Sequence, residues 1–153
     1  MKKLFAFILF ASLVSFSAWA DNRDRAEKIA VNDLPQNIRT FITKHFGNAS
    51  SIESAYKWPR NYSVYLYAGH KVSFYTDGSL KEADASNNAL PKSILTEFSP
   101  QISNYVNTNY PDWELTDIEV KRSKIEIELE SGRRSVDLEF SKTGELLDVD
   151  LDD

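Results

Sequence analysis

The chain has no cysteine among its 153 residues. That removes four possibilities at once: a lipoprotein acylated on cysteine, a disulfide-stapled secreted domain, a thiolate zinc site and a catalytic thiol. Stability must come from burial. Glycine and proline are scarce, five of each, and no Gly-rich phosphate cradle or zinc-ligand spacing is present. Basic residues are also few. Long apolar runs are missing except at the N-terminus, so no later segment can span a bilayer.

That N-terminal run has the order of a secretory signal. Lys2 and Lys3 form a positive start, Leu4 to Phe16 an apolar stretch, and Ala18-Trp19-Ala20 places small residues where a signal peptidase reads. The stretch is shorter than the roughly 18–20 residues a membrane helix needs, so cleavage is expected, with the mature chain beginning near Asp21 and keeping no membrane anchor. Removing Lys2 and Lys3 leaves 16 basic against 23 acidic side chains, a net charge of −7. A nucleic-acid partner is excluded on that balance, and a periplasmic or secreted location is expected.

The remaining sequence repeats itself at the level of chemistry. Leu34-Pro35 opens one block and Leu90-Pro91 another. In the first, Ile38, Phe41, Ile42, His45 and Phe46 follow the spacing of one helix face, stopped by Gly47. In the second, Ile102, Tyr105, Val106, Asn109 and Tyr110 repeat that spacing, stopped by Pro111. The offset grows from 56 to 64, so the second block carries eight extra residues around Ile94, Leu95, Phe98 and Pro100. An additional short helix is expected there.

Alternating segments follow each helix. Tyr62, Val64 and Leu66 alternate with Ser63, Tyr65 and Tyr67, and Val72 and Phe74 with Ser73 and Tyr75. Ala68-Gly69-His70 and Asp77-Gly78 read as turns. In the second block Ile125, Ile127 and Leu129 alternate with Glu126, Glu128 and Glu130, and Val136, Leu138 and Phe140 with Asp137, Glu139 and Ser141, with turns at Ser131-Gly132 and Thr143-Gly144. Weaker strands flank each hairpin, at 52–58 and 80–84 and at 115–121 and 146–151. The expected class is α+β: two tandem helix-plus-four-strand repeats, an antiparallel sheet with helices on one face and the other face open. The expected division is a signal peptide at 1–20, an N-terminal linker at 21–33, a first repeat at 34–86, and a second at 87–153 with the extra helix and an acidic tail.

The order Leu-Pro, Phe41-Ile42-x-x-His45-Phe46, Tyr62-Ser63-Val64-Tyr65-Leu66-x-x-Gly69 and Phe74-x-x-Asp77-Gly78 resembles the PepSY-like family of exported bacterial proteins. The second block matches through Ile102-x-x-Tyr105-Val106-x-x-Asn109-Tyr110-Pro111, 125–132 and Phe140-x-x-Thr143-Gly144. The resemblance covers nearly all of 34–150 and implies the fold of the β-lactamase-inhibitor proteins, with one sheet face available to a protein partner. It implies a fold better than a function. The sequence departs from the family pattern in the insertion around Pro100 and in Lys57-Trp58-Pro59-Arg60.

Chemistry is sparse. His45 lies on the apolar helix face and is expected to pack its ring against the sheet; His70 is expected to be solvated in a turn, with no fixed serine or carboxylate partner. Paired carboxylates are abundant, but none is singled out by an apolar setting, and no enzyme activity or cofactor is expected. Outward parity places Tyr65, Tyr67 and Tyr75 together as an aromatic patch, with Trp58 either extending it or capping the core. The equivalent outward positions of the second block are Glu126, Glu128, Glu130, Asp137 and Glu139, which favours a basic or mixed partner surface. The leading expectation is a non-enzymatic binder of an extracytoplasmic protein or peptide such as an exported hydrolase, and the resemblance implies that it inhibits its partner. Its rival is a small-ligand or calcium-binding protein using the acidic half. Asp148, Asp150, Asp152 and Asp153 lack the glycine-turned calcium loop and read as a solubilising acidic edge.

Overall fold

The computed structural model describes residues 25–152 apart from 87. The stretch expected to be a signal peptide, 1–20, lies outside the described residues. Among these, no helix is long and apolar enough to cross a membrane.

Nine strands form one antiparallel sheet in which every strand pairs with its sequence neighbours: β1 (Glu27–Ile29), β2 (Ile52–Lys57), β3 (Asn61–Leu66), β4 (His70–Tyr75), β5 (Leu80–Ala85), β6 (Glu114–Val120), β7 (Lys124–Ser131), β8 (Arg134–Ser141) and β9 (Leu146–Asp152). Helix α1 (Gln36–Phe46) connects β1 to β2, and α2 (Pro100–Asn109), preceded by a 3-10 segment at Lys92–Glu97, connects β5 to β6. The class is α+β, with few helices on an open sheet. The stretch expected to be a linker contributes β1, which pairs with β2 through Ile29 and Ala55. The eight-residue expansion is the 3-10 segment, which buries Ile94 and Leu95.

Period-two alternation decides which face is covered. Val64, Val72, Phe74, Ala83, Ile118, Ile127, Leu129, Val136, Leu138 and Phe140 are buried on one side, where Ile38 and Ile42 of α1 and Ile102 and Val106 of α2 complete a single core. Each helix seats an aromatic ring edge-on against a strand phenylalanine, Phe41 on Phe74 at 5.2 Å and Tyr105 on Phe140 at 5.6 Å.

Two glycine turns lock the helix starts onto the sheet. Gly78 has φ +82° and lies under the Asn37 side chain, whose Nδ2 donates to the Asp77 carbonyl at 2.9 Å. Gly144, φ +95°, lies under Ser99 and Gln101 at the start of α2. At both places a side chain would face an unfavourable backbone conformation and an occupied space.

Candidate functional site: the open face of the sheet

The face opposite the helices is built by register. Across β5 to β9, Asp84, Asp117, Glu128, Asp137 and Asp150 are successive cross-strand partners. A parallel row runs through Glu82, Glu119, Glu126, Glu139 and Asp148. Directly opposed side chains in a sheet lie about 5 Å apart, and like charges there repel.

The two rows are compensated differently. Lys121 contacts Glu126 at 2.5 Å and Glu119 at 3.3 Å; Lys124 contacts Glu126 at 2.6 Å and Glu139 at 2.5 Å. Hydrogen bonds from these lysines hold the Glu126 carboxyl below its ordinary value. Lys71 reaches Glu82 at 3.5 Å. Among the described residues no salt bridge reaches the row from Asp84 to Asp150.

The uncompensated row is strained electrostatically. Burial, then the charges of Glu82, Asp84, Glu128 and Glu119, push the Asp117 carboxyl up to about 7. Burial and the neighbouring acids Asp137, Glu130 and Asp84 raise Glu128; burial with Asp150, Asp152 and Glu126 raises Asp137. A depression of about 220 Å³ is lined by Asp117, Glu126, Glu128, Asp137 and Glu139. Oxygens of Glu82, Asp84 and Asp117 lie within 4.8 Å of one another, a hard-donor set whose chemistry suits calcium and whose remaining ligands would be water.

The other half of the face is aromatic, but not as parity alone suggests. Tyr65 stands opposite Lys71 whereas Tyr75 stands opposite Asn61, four residues along the hairpin, about 13 Å. Tyr65 and Tyr75 therefore share a face without forming one patch, and Tyr67 lies in the turn beyond β3. Tyr75 instead donates its hydroxyl to the Val120 carbonyl at 2.7 Å, and Tyr67 stands alone, 72% exposed. The partner of Tyr65 is Tyr56, in edge contact at 5.8 Å. Together with Trp58, Glu53 and Ser54 they line a cleft of about 270 Å³. Tyr56 was legible from its parity with the buried Ala55, but the β2 register shift between Ile52 and Ser54 obscures the count from Ile52. Trp58 is half-buried, and its Nε1 is buried without a hydrogen-bond partner among the described residues.

Both histidines belong to the covered side. His45 is buried at the end of α1, its Nε2 2.7 Å from Glu97 Oε1 and its Nδ1 2.9 Å from Ser93 Oγ. A carboxylate only accepts, so Nε2 donates to Glu97, while Nδ1 and the Ser93 hydroxyl share the second hydrogen bond. Burial opposes ionisation of Glu97, but hydrogen bonds from Lys44, at 2.5 Å, and His45 outweigh it and lower its carboxyl. This Ser-His-Glu relay lies beside a larger cleft, bordered by Phe41, Lys44, Leu80, Glu97 and Phe98, but Ser93 does not line that cleft. The relay ties α1 to the 3-10 segment. His70 overturns the expectation of a solvated turn residue: it begins β4, is 6% exposed, packs on Phe46 at 5.6 Å, and has no partner for Nδ1 among the described residues. Its parity with Val72 and Phe74 sends it inward.

A family model described as beta-lactamase-inhibitor-like, PepSY-like, matches residues 14–57 and 60–148. The chain belongs to the PepSY-like family. The match is interrupted at Trp58 and Pro59, the departure visible in the sequence. A solved structure from Bacteroides thetaiotaomicron, provisionally described as a calcium-regulated periplasmic protein, is 31% identical with a TM-score of 0.69, covering 86% of this chain and 98% of its own. A periplasmic protein from Bacteroides vulgatus is 30% identical, TM-score 0.68, with coverage of 83% and 98%. Another from Bacteroides vulgatus, of unknown function, is 26% identical, TM-score 0.66, with coverage of 82% and 99%. No curated protein matches the chain. The PepSY-like chain is periplasmic, in keeping with these neighbours.

Proposed function

We propose that this PepSY-like protein is a non-enzymatic periplasmic binder that docks a basic protein surface on the open face of its sheet. The observation that carries the reading is the row Asp84, Asp117, Glu128, Asp137 and Asp150, adjacent acids with no lysine or arginine among the described residues bridging them. Lysine or arginine side chains from a partner would relieve a repulsion that already exists in the free protein, so the face is prepared for cations before encounter. The Tyr56, Trp58 and Tyr65 cluster supplies stiff contact area at the other end.

The two helix-plus-four-strand halves, 34–86 and 87–153, are read as copies of one unit. The matched ring pairs Phe41 with Phe74 and Tyr105 with Phe140 support this, as do the matched glycine turns at Gly78 and Gly144.

The test is affinity capture from the cell envelope with the mature protein and two variants, Glu128→Ala/Asp137→Ala and Trp58→Ala/Tyr65→Ser. A partner lost from the acidic variant, and released by salt, supports the reading provided the circular dichroism is unchanged. A partner held equally by all three sinks it.

The second reading is calcium binding at Glu82, Asp84 and Asp117, supported by their clustered oxygens and by the description of the Bacteroides thetaiotaomicron neighbour. Calcium would then raise the melting temperature, and Asp84→Asn/Asp117→Asn would abolish the rise. An equal rise in both proteins would reject that site.

A further inference from the structure

The edge strand β9 combines three properties that sheet edges usually avoid together. All seven residues from Leu146 to Asp152 are exposed. Among the described residues β9 pairs only with β8, leaving its other side open. Its sequence has no proline and no lysine, and the charges that keep it soluble, Asp148, Asp150 and Asp152, all lie on one face and leave the backbone edge unpaired.

Its two faces differ in chemistry. Leu146, Val149 and Leu151 stand opposite Phe140, Leu138 and Val136, so they continue the apolar face of the sheet. Those β8 partners are almost wholly buried, whereas Leu146, Val149 and Leu151 are 36%, 41% and 50% exposed. The helix layer stops short of the last strand. On the other face Asp148 and Asp150 end the two acidic rows, and Asp152 stands opposite Ser135. After the register shift near Leu146 the ladder from Asp148 to Asp152 is regular, as a template strand requires.

We propose that β9 is a peptide-docking edge: it takes an extended protein segment of alternating apolar and basic side chains as a tenth strand. The apolar side chains of that segment would lie beside Val149 and Leu151 and extend the covered face. Its lysines or arginines would lie beside Asp148, Asp150 and Asp152. A second copy of this chain is the poorer occupant. Antiparallel pairing of β9 with its own copy keeps the faces matched and sets aspartates against aspartates. The edge site does not rest on partner docking at the open face, because it uses the unpaired backbone and the apolar stripe.

The experiment uses the mature protein and a labelled seven-residue peptide, Lys-Val-Lys-Val-Lys-Val-Lys, followed by fluorescence anisotropy. An analogue with every backbone amide N-methylated keeps the charges but removes the donors a strand needs. Two protein variants, Val149→Lys and Leu151→Lys, put charge on side chains that are already exposed, and circular dichroism checks their folds. The expected result is saturable binding of the parent peptide, weakened at least tenfold by N-methylation and at least tenfold by either variant. Absence of binding overturns the proposal. So does equal binding of the methylated analogue, which would mean attraction by charge alone, or equal binding by both folded variants, which would place the peptide elsewhere. A stable protein dimer that the peptide does not dissociate would assign the edge to a second copy and overturn it as well.

Discussion

Asp117 of β6 stands directly opposite Asp84 of β5, two strands joined through α2. Burial of Asp117, then the charges of Glu82, Asp84 and Glu128 around it, make it an acid that holds its proton to about pH 7.

A raised carboxyl value means that the folded chain binds a proton more tightly than the unfolded chain. The stability this contributes is complete below the ordinary value of 3.8 and is lost as pH rises to about 7. Asp117→Asn should remove that dependence and be more stable than the parent at pH 8 by about 1 kcal/mol, the scale of one relieved cross-strand repulsion. Melting curves from pH 4 to 8 measure it; parallel curves for the two proteins would contradict it.

His70 works in the opposite direction. Burial lowers its value, and Asp84 offsets this only in part, so the unfolded chain takes up the proton first as pH falls below the ordinary 6.5. The contribution is present above that value and declines on the acid side. His70→Leu should flatten the acid limb while leaving the alkaline limb in place. An unchanged acid limb in urea unfolding would show that the imidazole is not the titrating group.

Gly78→Ala should destabilise the fold by about 1–3 kcal/mol, since a left-handed residue acquires a side chain at a site already filled by Asn37. The same change at Gly144 should cost a similar amount against Ser99 and Gln101. Adding Asn37→Ala to Gly78→Ala should recover the steric part only. Full recovery in denaturant titrations would mean the backbone conformation costs nothing.

The tyrosines of the open face should separate into two kinds. Tyr75→Phe removes the hydrogen bond to the Val120 carbonyl and should cost about 0.5–1.5 kcal/mol. Tyr67→Ser, at an exposed turn, should remain within about 0.5 kcal/mol of the parent. Equal effects in thermal unfolding would indicate that the Tyr75 hydroxyl is not held.

Much of the architecture is legible in one dimension. The i, i+3, i+4 spacing at Ile38, Phe41 and Ile42 and at Ile102, Tyr105 and Val106 marks both helices, and the turns at Gly78 and Gly144 bound their strands. His70 shows where reading by neighbours fails: adjacent Gly69 and Lys71 suggest a wet turn, whereas parity with Val72 and Phe74 sends the ring inward. The Tyr65 and Tyr75 separation was hidden for another reason. Parity names a face, and only the register of β3 against β4 gives the distance along it.

By itself the sequence determined β2 to β9, most of their inward and outward sides, and the excess of acid on the outward side beyond β5, because side-chain alternation is a property of the extended backbone. Tertiary structure decided which acids become neighbours. Asp84 and Asp117 are separated by α2 and its 3-10 segment, so no local turn sets their register. Packing of Ala83 and Ile118 beneath the helices brings β5 and β6 into line, and the two carboxylates on the reverse side are carried together with them.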